Sequence, residues 1–360
     1  MRIVVDVTPL SHPRTGIGNY MLGMLGGLSE ASDGRHELVH FAPTGPRNVR
    51  RLKAALDGIP GERKLIVLPP PSTVWRRLWS RSQLLPIERL VGPMDVFHFS
   101  DWMYPPQRNG VRTTTIHDLI PLHHPEWVNP RTTAIHVPKY RHAARTCDLI
   151  FANSAFTADD VADTLGYPRE RIAVAHPGIH ERFQPEGSRR DFGAPYLLTV
   201  ATLEPRKNLD ILLAAFAQVR ARWPELLLVI AGPAGWRGRE PGGDGVRTLG
   251  YVDDEELPQL YRGASAFAYP SLYEGFGIPV IEAMASGAPT IASSHPSLDE
   301  ASGNAAVRAD PESAEAFAAG IDRALEDRER LMPQGLAHAA KFTWRACGEA
   351  MLRGYESAHG

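Results

Sequence analysis

The sequence predicts an α/β chain built from two doubly wound, parallel-sheet domains in series, and three observations lead there. Short apolar runs rich in β-branched residues alternate with stretches of helical spacing, the pattern of repeated βαβ units. The alternation starts afresh near Tyr196, after a polar stretch from Arg182 to Arg190 that carries Pro185 and Gly187. The chain has 360 residues, and this length favours two domains of roughly 150 to 200 residues each.

In the first half the runs are Ile3 to Val7, Leu38 to Ala42, Leu65 to Leu68, Val96 to Phe99, Thr113 to His117, Leu149 to Asn153 and Ile172 to Ala175. In the second half they are Tyr196 to Val200, Leu226 to Ile230, Val246 to Leu249, Ala266 to Tyr269, Pro289 to Ala292 and Ala305 to Val307. The polar stretch between them reads as a hinge, which sets an N-terminal domain over 1–185 and a C-terminal domain over 186–342. The final segment has helical spacing at Trp344, Met351, Leu352 and Tyr355. Doubly wound sheets bind ligands beyond the carboxyl ends of their strands, so two in series predict a ligand cleft between them. Gly235 to Gly245, with Arg and Gly mixed, reads as a mobile surface loop.

Composition removes several function classes. With 39 Lys and Arg against 41 Asp and Glu, no global field attracts polyanions, and a nucleic-acid partner is not expected. Cys147 and Cys347 have no C-x-x-C or His ligand spacing and read as buried reduced thiols of a cytoplasmic protein. The start, Met1-Arg2-Ile3-Val4-Val5-Asp6, meets an acid too early for a signal-peptide core. No window approaches the roughly 18 uncharged apolar residues of a spanning helix.

The chemistry is concentrated between Pro270 and Gly287, just after a predicted strand. Gly275 and Gly277 allow close backbone approach, Phe276 lies between them, and Ile278-Pro279 opens a short helix that Gly287 ends. A glycine-rich loop feeding a helix N-terminus offers backbone donors and a positive dipole end to a diphosphate. Glu274 lies in the loop and Glu282 inside the helix, a turn's pitch of about 5 to 6 Å or more apart, so one acid reaches sugar hydroxyls and the other ribose hydroxyls.

This stretch resembles the E-x7-E signature of the GT-B retaining glycosyltransferases of family 4, most like bacterial mannosyltransferases of surface-polysaccharide assembly. The resemblance spans nearly the whole chain: Gly16 in the first loop, Ile116-His117-Asp118, Asn153-Ser154, Pro177-Gly178-Ile179, Glu204-Pro205-Arg206-Lys207-Asn208, and Leu249-Gly250-Tyr251-Val252 followed by Leu257. It implies two Rossmann-like domains facing across a cleft, with the helix at about 343–360 returning to the first. It implies that Arg206 and Lys207 hold the donor diphosphate, that Glu274 acts at the sugar, that His117 touches the donor sugar or the acceptor, and that Glu282 holds the ribose. Gly16, Gly250, Tyr251, Val252, Leu257, Gly275, Phe276, Gly277 and Ile278 would shape the donor site, and Asn19 and Tyr20 would touch the acceptor. The implied reaction retains anomeric configuration, with the leaving phosphate helping to deprotonate the acceptor. Some members carry a further basic residue ahead of the Arg-Lys pair, where this chain has Ala201 and Thr202.

The residues themselves point the same way. Cations at a helix N-terminus are unfavourable unless an anion joins them, which argues against a merely solvated Arg206-Lys207 pair. No D-x-D occurs, so no metal site and no cofactor are expected. Gly16-Ile17-Gly18 lacks the third glycine and the ribose acid of a dinucleotide fold. GDP-mannose is the first expectation for the donor, with UDP- and dTDP-sugars as alternatives, and the acceptor is a glycan, a lipid-linked or a small molecule. Residues 73–85 place Trp75, Leu78, Trp79 and Leu85 at helical spacing with Arg76, Arg77 and Arg81 on other faces. That pattern fits an ordinary core helix or a peripheral contact with an anionic membrane. A nucleotide-sugar 2-epimerase and a non-catalytic nucleotide-sugar-binding module are the rival functions.

Overall fold

The computed structural model describes residues 1–13, 16–61, 64–82, 84–100, 103–235 and 241–360. The chain divides into two compact units: Met1–Leu122 with Pro130–Gly178 and Thr343–Gly360, and His123–Asn129 with Ile179–Phe342.

The first unit is built on β1 (Arg2–Asp6), β2 (Glu37–Pro43), β3 (Lys64–Leu68), β4 (Val96–Phe99), β5 (Val111–Ile116), β6 (Leu149–Ala152) and β7 (Ile172–Val174). They pair in parallel in the order β3-β2-β1-β4-β5-β6-β7. Alternate side chains serve opposite faces, as a strand's pleat dictates: Ile3 and Val5 join one core cluster, and Val4 between them joins the other. A sheet covered on both faces favours largely apolar, β-branched runs, the feature that made these strands visible in the sequence, although β5 buries Arg112 and three threonines.

The second unit repeats the plan with β8 (Tyr196–Val200), β9 (Leu227–Ala231), β10 (Val246–Gly250), β11 (Ala266–Tyr269), β12 (Thr290–Ser293) and β13 (Val307–Ala309), in the parallel order β10-β9-β8-β11-β12-β13. Here Leu197 belongs to one core cluster and Leu198 to the other. The last strand begins at Val307 rather than at Ala305, because the Ala305 N–H closes a turn onto the Ser302 carbonyl at 3.1 Å. The strand order reverses between β8 and β11, the switch point where connections leave to opposite sides and a crevice opens at the carboxyl ends.

The boundary differs from the sequence reading. The chain passes between units at Gly178–Ile179 and again at Phe342–Thr343, not at 185–186, and 123–129 group with the second unit. The stretch Arg182 to Arg190 is not a free hinge. Phe183 is buried, and the Arg262 guanidinium donates to the carbonyls of Arg182, Gln184 and Ser188. The polar side chains there are exposed, but the backbone is held in place by a buried arginine.

Trp344–His359, capped by Thr343 Oγ1 accepting from the Ala346 N–H at 3.1 Å, lies against Gly16–Ser32 within the first unit. Glycines make this possible, since a Cβ at Gly27 would collide with the Trp344 carbonyl and one at Gly348 with the Gly27 carbonyl. In the helix Ser72–Arg81, Trp75 and Trp79 are buried in the core, while Val74 and Leu78 are exposed together with Leu84 beyond it. The tryptophans that suggested membrane contact are therefore core residues. Part of the loop expected over Gly235 to Gly245, at 236–240, lies outside the described residues, as does Gln83. Both cysteines are free and buried, and burial pushes each thiol up to about 12. Among the described residues no helix is long and apolar enough to cross a membrane.

Candidate active site

The switch point of the second unit gathers the charged residues that the sequence singled out. After β8 the chain makes a single turn of 3-10 helix, Pro205–Lys207, then passes through Asn208 in the left-handed region (φ 56) into the helix Leu209–Val219. Asparagine tolerates that conformation, and its amide is used as an anchor: Nδ2 donates to the carbonyls of Pro270 (3.2 Å) and Pro311 (2.6 Å). The Leu272 N–H donates to the Arg206 carbonyl at 2.9 Å, which ties the loop after β11 to the loop after β8.

Glu274 follows β11 and is buried, with its own N–H donating to Ser297 Oγ at 3.0 Å. Its Oε1 accepts from Arg206 Nη1 at 2.8 Å, Lys207 Nζ at 2.5 Å and the Tyr269 hydroxyl at 3.0 Å. Lys207 Nζ also reaches the Tyr269 oxygen at 2.6 Å, and Arg206 Nε pairs with Glu204 at 3.0 Å. Burial alone would raise the Glu274 carboxyl, but the charges of Arg206 and Lys207 outweigh it and hold the group at about 2. Burial, then the neighbouring Arg206, lower Lys207 to about 8, against the pull of Glu274. Near neutral pH the cluster therefore holds two cations between the carboxylates of Glu274 and Glu204, fixed at the carboxyl end of the sheet.

The glycine-rich loop has the shape its sequence predicted. Gly277 sits at φ 100, where a side chain would be strained and would strike Leu298, and the helix Ile278–Ala285 starts immediately after it. Phe276 is buried against Phe342, with ring centroids 5.3 Å apart. Glu282, inside that helix, accepts from the Tyr261 hydroxyl at 3.2 Å. Burial pushes its carboxyl up to about 8; the Tyr261 bond and Arg182 oppose the rise, and Asp254 adds to it. Gly250 is at φ 68 at the end of β10, Tyr251 is exposed, and Val252 and Leu257 pack on the same core cluster as Ile278.

In the first unit Gly16 opens the helix that carries Asn19 and Tyr20. His117 directly follows β5, and the Tyr20 ring meets its ring edge-on with centroids 4.6 Å apart. Thr157 Oγ1, in the helix that Ser154 caps, donates to the His117 carbonyl at 3.4 Å.

Within the second unit, then, the fold brings Arg206, Lys207 and Glu274 into one ion-paired cluster, and puts Glu282 apart from it, bonded to the Tyr261 hydroxyl. Within the first, it brings Tyr20 to His117. Sequence reasoning divided Arg206-Lys207 from Glu274 by role and did not see that they bond to one another. It also missed Tyr269 and Tyr261. Both are tyrosines at otherwise apolar positions of buried elements, the one signal that a hydroxyl is wanted there.

Comparison with known proteins agrees with this architecture along the whole chain. Residues 14–183 match the family described as Glycosyltransferase Family 4, and 181–339 match Glycosyl transferases group 1. The chain is 31% identical to the O-antigen chain mannosyltransferase B of Escherichia coli, over 99% of this chain and 100% of that protein. Among solved structures it is similar in fold to a glycosyltransferase from Rickettsia africae, with TM-score 0.72, 15% identity and coverage of 99% of this chain and 98% of that one. Anabaena HepE in complex with UDP is similar at TM-score 0.71, with 17% identity and 99% of each chain covered. Two Rossmann-like units, the E-x7-E loop and a relative matched from end to end place this chain in family 4 of the GT-B glycosyltransferases.

Proposed function

We propose that this glycosyltransferase is a retaining, metal-independent mannosyltransferase that takes mannose from GDP-mannose and adds it to a growing surface polysaccharide, on the cytoplasmic side of the membrane. The observation that carries the reading is the cluster of Arg206, Lys207 and Glu274 at the switch point of the second sheet. A departing nucleoside diphosphate gains negative charge, and cations already fixed at a sheet's ligand-binding end stabilise it without reorganising. One such group contributes about 3 to 4 kcal/mol to the transition state. Lys207 and Arg206 take the diphosphate, and Glu274 aligns both cations beside the transferred sugar. Glu282 takes the ribose hydroxyls. The phosphate oxygen freed on cleavage accepts the acceptor's proton, so the new bond forms on the face that the leaving group vacates. The choice of mannose is supported by the Escherichia coli relative, whose name specifies it. Independence from a metal is supported by a sequence without D-x-D.

The test is transfer from GDP-mannose in excess EDTA, with the product's anomeric configuration read by NMR. We expect full activity and a product that keeps the donor's configuration. Activity lost in EDTA and restored by Mg²⁺ or Mn²⁺, an inverted product, or turnover of UDP- or dTDP-sugars only would each overturn the corresponding part.

A further inference from the structure

We propose that the second unit carries a ligand site at the opposite end of its sheet, where Arg189, Arg262 and Arg328 converge on a cavity suited to a phosphate group borne by a small molecule. Pro195, Leu226 and Ser265, which line the cavity, immediately precede β8, β9 and β11. Arg206 and Glu274 follow β8 and β11 at the other end. Parallel strands of four or five residues, rising about 3.3 Å per residue, separate the two ends by roughly 15 Å. The cavity, about 530 Å³ in volume, is therefore distinct from the transfer site.

Its charge is unbalanced. Arg262 is buried and anchored by neutral groups only: Nε donates to the Ser188 carbonyl at 2.8 Å and Nη1 to those of Arg182 and Gln184 at 3.3 Å. Arg328 is anchored the same way, with Nη1 donating to the carbonyls of Ala264 (3.1 Å) and Ser265 (2.9 Å). Arg189 is exposed and has no ion pair or hydrogen bond among the described residues. Burial, and then the charge of Arg189, lower the proton affinity of both anchored guanidiniums. The nearby Arg222 is already neutralised by Asp322. Glu225 is the carboxylate at the rim, and it is exposed. Two guanidiniums held by carbonyls and the exposed Arg189 beside them repel one another, and a bound dianion offsets that repulsion. Guanidinium forks match phosphate oxygens in pairs. Beside them Trp223, 38% exposed, and Pro195 supply a flat apolar wall for the rest of the ligand.

The proposal rests on this unit's geometry alone and is independent of the donor or reaction. Its probe is phenyl phosphate, titrated calorimetrically into the full chain and into the Arg206→Ala/Lys207→Ala variant, where binding at the transfer site is weakened. We expect saturable binding in that variant, weakened at least about tenfold when Arg189→Glu is added. In the otherwise native chain, Arg189→Glu removes one equivalent without lowering the melting midpoint, since it relieves the repulsion on Arg262 and Arg328. Phenol, lacking the charge, does not bind. Equal affinity with and without Arg189→Glu, or no saturation by phenyl phosphate, overturns the site. Inorganic phosphate binding as tightly as phenyl phosphate overturns the part assigned to Trp223.

Discussion

Glu274 and Glu282 come from one motif and lie on either side of one helix start, yet the fold gives them opposite charge states. Glu274 meets two cations and a tyrosine hydroxyl and is held at about 2, although it is buried. Glu282 meets the Tyr261 hydroxyl and, by contrast, is pushed up to about 8 by burial. Burial acts on both in the same direction, so the difference comes entirely from which charges stand within reach. Arg206 and Lys207 arrive from the loop after β8, next to β11 in the sheet but far from Glu274 in the chain. The two acids are therefore suited to different work: a permanent anion that orders cations, and a group poised to exchange a proton or a hydrogen bond with a neutral hydroxyl.

The largest effect that sharpens this contrast is on turnover. Replacing Arg206 and Lys207 together by Ala is expected to lower kcat at least about a thousandfold, since each is a preorganised electrostatic donor. Unchanged turnover would remove the pair from the reaction.

Stability separates the acids next. Glu274→Gln leaves buried Lys207 without a carboxylate and Arg206 with Glu204 alone, and is expected to cost about 3 to 5 kcal/mol in urea unfolding at about pH 7. The sign with pH follows from its depressed folded value, about 2 against an ordinary 4.5. The stabilisation is full above about 4.5 and is lost as pH falls through about 2, so the gap between native protein and variant closes in acid. A gap that persists unchanged would mean that the ion pairs contribute nothing.

Glu282→Gln is expected to do the reverse. Its folded value, about 8 against an ordinary 4.5, favours the proton-bound form, so this residue lowers the native protein's stability as pH rises from about 4.5 to 8. The Gln variant escapes that loss and is the more stable of the two above about pH 8. Its cost falls on ligand binding, about 0.5 to 1.5 kcal/mol for a bare nucleoside diphosphate at about pH 7, as the loss of a hydrogen bond to a neutral group would require. If the variant shows the same fall in stability between those values, another group titrates there.

Much of this molecule was legible in one dimension because its determinants are local. Strands buried on both faces are largely apolar or β-branched, and every predicted run overlaps an observed strand. A loop that approaches a helix start closely must spend glycine where φ is positive, so Gly277 and the helix at Ile278 were visible too. The unit boundary was not, because the exposed polar stretch from Arg182 to Arg190 has its backbone tied down by Arg262, some eighty positions away in the chain. Nor were the charge states of Glu274 and Glu282, or the convergence of Arg189, Arg262 and Arg328. A carboxylate's ionisation and a guanidinium's lack of a counter-ion depend on distances between residues remote in sequence. Spacing along the chain sets helices, strands and turns; only the stacking of strands in the sheet decides which charges meet.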